Sequence, residues 1–122
     1  MNRRILMFLG VLAFATLAWA VTPESGNAVS ATETSALVTF ANTHRSVLIV
    51  NDGTTDYVAV RVWQESETPT AITITTNGAI RLPPGAAITF GWDDSAEIGI
   101  GYKGFSHICA SGKTATVRWL AK

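Results

Sequence analysis

Apolar and polar residues alternate with period two along most of this chain, the pattern of β-strands that bury one face. Leu37–Phe40 is the first such segment, and Val47–Val50 is a continuous apolar run suited to a sandwich core. Tyr57–Trp63 alternates cleanly. Val58, Val60 and Val62 fall on one face, and Tyr57, Ala59, Arg61 and Trp63 on the other. Ala71–Thr76 directs Ile72 and Ile74 inward, and Ala79–Leu82 does the same with Ile80 and Leu82. Ala86–Trp92 aligns Ile88, Phe90 and Trp92, while Glu97–Tyr102 aligns Ile98, Ile100 and Tyr102. Phe105–Ala110 and Thr114–Leu120 complete the set, with Trp119 on the inward side of the last strand.

Turn chemistry separates these runs. Asn51-Asp52-Gly53, Asn77-Gly78, Asp93-Asp94-Ser95 and Ser111-Gly112-Lys113 supply residues that tolerate positive φ or bond their own backbone. Pro83-Pro84-Gly85 stops a strand, because proline brings no N–H to the ladder. Nothing after residue 20 has helical periodicity. About eight short strands at this spacing predict an all-β domain over residues 37–122, a single antiparallel β-sandwich or jelly roll.

The first 36 residues read differently. Asn2, Arg3 and Arg4 precede an apolar run from Ile5 to Leu17, and Ala18-Trp19-Ala20 places small residues where a signal peptidase cuts. Residues 1–20 therefore read as a signal peptide, with an uncleaved signal-anchor as the rival. Only through that uncleaved segment would the chain meet a membrane. The run is short of the ~20 apolar residues that span a bilayer. Residues 21–36 are rich in Ser, Thr, Ala and Glu and predict a flexible tether, since so few large apolar groups cannot offset the entropy of ordering. The expected location is outside the cytoplasm.

Charge narrows the function. The nine basic residues less Arg3 and Arg4 leave seven after residue 20, against nine acidic ones, a net −2. Such a chain lacks the basic stripe that neutralises phosphates, so no nucleic-acid partner is expected. The single cysteine, Cys109, cannot form an internal disulfide and is expected in the core.

Candidate chemistry is sparse. His107 and Cys109 share one face of a strand, but residues two apart on a strand sit too far from each other for an easy nucleophile–base bond. His44 is the only other histidine, so no zinc spacing arises, and no metal or cofactor is expected. Gly99, Gly101 and Gly104 match G-x-G-x-x-G, yet no helix follows to receive a phosphate. Asp93–Asp94 and Glu65–Glu67 are ordinary turn or loop acids rather than a catalytic pair. The reading is that of a protein without catalytic activity. The clearest binding candidates are Tyr57, Arg61 and Trp63, residue types that dominate binding hot spots, on the face opposite the three valines. A second candidate is the strand around Leu37, Val38 and Phe40, which with residues 21–36 suits strand donation to a neighbouring copy.

Three stretches carry a resemblance. VAVRV at Val58–Val62, LPPGAAITF at Leu82–Phe90 and ICASGKTATVR at Ile108–Arg118 are similar to segments of small phage virion-associated β-domains. The likeness covers about residues 45–120 and consists of strand-and-turn patterns, so it brings no catalytic residue with it. It implies a decoration or accessory role on a capsid or tail, with a protein partner or self-association. The leader departs from cytoplasmically assembled virion proteins and favours an exported or surface-displayed relative of that fold. The alternative expectation is a self-assembling surface or pilus-like subunit. A small secreted hydrolase is the third, and the sequence offers it no convergent residues.

Overall fold

A computed structural model describes residues 23–26, 28–91 and 101–122. The predicted leader at 1–20, Trp92 and the expected strand starting at Glu97 lie outside the described residues, apart from the end of that strand at Gly101–Tyr102.

Among the described residues, period-two patterning becomes nine strands: β1 (Glu24–Ser25), β2 (Val29–Ala31), β3 (Ala36–His44), β4 (Ser46–Asn51), β5 (Val58–Gln64), β6 (Ile80–Leu82), β7 (Ala87–Gly91), β8 (Tyr102–Ile108) and β9 (Ala115–Ala121). They make two antiparallel sheets, consistent with the expected β-sandwich. One sheet runs β1-β9-β4-β7, with β2 continuing β1 along the edge of β9; the other runs β3-β8-β5-β6. The pairing is nested, since the first strands pair with the last, β3 with β8, β4 with β7 and β5 with β6.

Side chains from both inner faces fill the core. Val58 and Val60 are fully buried, and Val62 packs against them, as the alternation predicts. Phe105 lies at the centre, 6.2 Å from the rings of both Phe40 and Trp119, and those two rings are 4.9 Å apart. These aromatics join Val47, Ile49 and Val117 in one cluster. At Asn51 the core is closed by a buried amide. Its Nδ2 donates to the carbonyls of Asp56 and Leu82, and its Oδ1 accepts from Gly53 N, so the Asn-Asp-Gly turn is fixed from within.

Two expectations are corrected. The expected tether, 21–36, instead contains β1 and β2, in register with β9: Glu24 faces Ala121, Val29 faces Val117 and Ala31 faces Ala115. Low hydrophobicity does not prevent this, because an existing edge supplies a ladder of backbone bonds and the fully buried Ala31 fills a place in the core. Just after β1, at Gly26, the chain passes over Trp119. A Cβ added at Gly26 would overlap the indole ring, so only glycine permits this approach.

The second correction concerns Ala71–Thr76, which forms turns rather than a strand. The Thr76 hydroxyl accepts Thr73 N at 2.7 Å, and Thr73 Oγ1 lies within bonding distance of the Thr75 and Thr76 hydroxyls. Short hydroxyl side chains have competed successfully with a strand ladder for the backbone. Consequently β6 pairs with β5, not with the segment before Asn77-Gly78.

Candidate binding surfaces

The outer face of β5 and β8 brings Ala59, Arg61 and Trp63 opposite Ile108, Ser106 and Gly104. Alternation places Arg61 and Trp63 together as expected, but that face is not open. Residues 65–79 fold across it and set Ile72 beside Trp63, Ala59 and Ile108, with Ile74 and Ala79 packed alongside. Trp63 is only 4 % exposed. Its Nε1 donates to Ser106 Oγ at 2.8 Å, and that hydroxyl donates onward to the Thr70 carbonyl at 2.7 Å.

Arg61 is drawn into the same arrangement. Its guanidinium stacks 4.1 Å over the Trp63 ring, donates to the Asn77 carbonyl and meets Glu67 at 3.5 Å. Glu67 holds the start of the loop by accepting Gln64 N. Tyr57 stands just before β5, half-buried, with the Arg81 guanidinium 5.4 Å from its ring. The expectation of an exposed Tyr57–Arg61–Trp63 patch is therefore corrected. Trp63 is interior, Arg61 serves the chain's own loop, and Tyr57 is separate. A satellite core under a long loop has covered the face that alternation assigns to water.

Leu37, Val38 and Phe40, the candidate assembly strand, lie in β3 at the edge of its sheet. Leu37 and Val38 pair with Ser106 and Phe105 of the same chain. Leu37 is 46 % exposed, Val38 is half-buried and Phe40 is buried.

After Thr39 the β3–β8 register shifts, and pairing resumes at His44 opposite Tyr102. The intervening bulge exposes backbone donors, and Glu24 of β1 captures them. Its carboxylate accepts Ala41 N at 2.8 Å and Asn42 N at 3.0 Å and also bonds His44 Nε2. The bond to His44, followed by those from the bulge, holds the Glu24 carboxyl below its usual range. His44 is buried, with Nδ1 unpartnered among the described residues. It lines a cavity of about 340 Å³ with Thr43, Arg45 and Lys122. Sequence reasoning missed this latch, because Glu24 sits among residues too polar to suggest order.

His107 and Cys109 do share a face, and it is the core face. Both are buried, and burial pushes the imidazole pKa down and the thiol pKa up. A free thiol so placed is held in its unreactive protonated form. Among the described residues, no three His, Cys, Asp or Glu side chains gather to hold a metal ion.

The last feature is an open groove of about 430 Å³ at the end of the sandwich where β8 turns into β9. Glu33, Thr34, Thr73, Ile74, Ile108 and Ser111 are among the residues that line it. The chain matches no protein-family model, no curated protein and no solved structure.

Proposed function

We propose that this protein is an exported, non-catalytic structural or binding module of the phage virion-accessory type. The nested strand order is the observation that carries the reading. Sheets ordered β1/β2-β9-β4-β7 and β3-β8-β5-β6 are what a long hairpin gives when it is rolled on itself, and this supports the jelly-roll reading of the sandwich. That architecture recurs in viral capsid and lectin domains, where loops and edges make the contacts. The argument is one of fold analogy, which gives a class of role and not a partner. Burial of His107 and Cys109 supports a role carried by the surface.

A second reading is a self-assembling surface subunit. Its supporting observation is the edge position of β1 and β2, which could leave β9 of their own chain for β9 of a neighbour.

Mass spectrometry of the exported chain and light scattering on the same material separate these readings. A chain beginning at Val21 and a single discrete particle size support the module. Open-ended assemblies favour the filament subunit. A chain retained in the membrane with residues 1–20 attached removes the exported module.

A further inference from the structure

The groove beside the β8–β9 turn has an unusual distribution of chemistry. Its branched aliphatic lining is Ile74, half-buried, and Ile108, only 9 % exposed. Its one charged wall is Glu33, whose Oε2 accepts both Gly112 N at 2.7 Å and Ser111 Oγ at 3.1 Å. Those two bonds fix the carboxylate and keep it ionised. Among the described residues no cation pairs with Glu33, and its Oε1 accepts no bond. Thr34 also lines the groove. The Thr73 hydroxyl is turned to Thr75 and Thr76.

We propose that this groove binds a primary ammonium on an aliphatic stem, as a lysine side chain of a partner protein presents it. The stem lies on Ile74 and Ile108, and the ammonium meets Glu33 Oε1 with the Thr34 hydroxyl alongside. An ammonium is a point charge that one free carboxylate oxygen can satisfy. A guanidinium fork seeks two oxygens, and Oε2 is already engaged twice. Pre-fixing the carboxylate lowers the ordering cost of binding. The proposal rests on the groove alone and stands whether or not the chain belongs to a virion.

The test uses the folded chain at low ionic strength and two probes, N-acetyl-lysine methylamide and its uncharged counterpart N-acetyl-norleucine methylamide. Amide chemical shifts of Glu33, Thr34, Ser111 and Gly112 are followed during titration. The lysine probe is expected to shift them saturably with a Kd on the order of 1 mM, and Glu33→Gln to weaken it about tenfold or more. The norleucine probe is expected to produce no saturable shift. Equal response to both probes overturns the proposal, as does unchanged affinity in a Glu33→Gln variant whose thermal melt shows it folded. Should that variant fail to fold, the contrast between the two probes on the unaltered chain decides.

Discussion

Trp63 Nε1 bonds Ser106 Oγ across the paired strands β5 and β8, and the same hydroxyl reaches over to Thr70 in the covering loop. One fully buried serine thus joins a sheet to the segment lying on it. Replacing Ser106 by Ala leaves a buried indole donor and a carbonyl without partners. We expect a loss of about 1–3 kcal/mol in urea unfolding. Trp63→Phe removes the donor with less disturbance of shape, so the double variant should lose less than the sum of the two singles.

The Glu24 latch predicts an acid limb of stability. Its carboxyl pKa is lower folded than the ordinary value of 4.5. The stabilisation is therefore fully present above that ordinary value and is lost as pH falls through the folded one. Glu33 shifts in the same direction, so Glu24→Gln should remove only part of the acid slope. Hydrogen exchange at the Ala41 and Asn42 amides should accelerate in Glu24→Gln at neutral pH; unchanged protection there would contradict the latch.

Gly26→Ala should destabilise the chain by about 1–3 kcal/mol, the usual cost of overpacking. The added methyl meets the Trp119 indole, so near-ultraviolet circular dichroism should change with the melting temperature.

Phe105→Ala should cost about 3–5 kcal/mol, because the site is enclosed by Phe40, Trp119 and His107 and cannot collapse easily. Leu37→Ser, on an exposed edge, should stay within about 0.5 kcal/mol. Paired denaturation curves check the contrast.

Cys109 should resist a thiol reagent in the native state and react at the rate of opening of the core. It is 1 % exposed, and its thiol lies 3.6 Å from the Ala31 carbonyl at the end of β2. Stoichiometric labelling without denaturant would show that this contact opens readily.

The inner face of the sandwich was legible in the sequence, because Val58, Val60 and Val62 alternate and one buried face fixes their register. The outer face was not. Ile72 and Ile74 show the same alternation as a strand, and nothing in the spacing reveals that Thr73 bonds Thr75 and Thr76. Arg61 and Trp63 looked solvent-facing for the same reason: period two assigns a face but not what covers it. Glu24 and Ser106 belong to contacts between distant segments, which local pattern does not encode.

The nested pairing also orders events in time. β2 finds its partner only when Ala115–Val117 has been made, and β3 only when Gly104–His107 has. Of the nest, β5 with β6 is the pair closest in sequence, so a chain still emerging has little it can complete. Contacts this remote in sequence make folding slow. Closure of the nest therefore waits on β9, the one strand against which β1, β2 and β4 all pair.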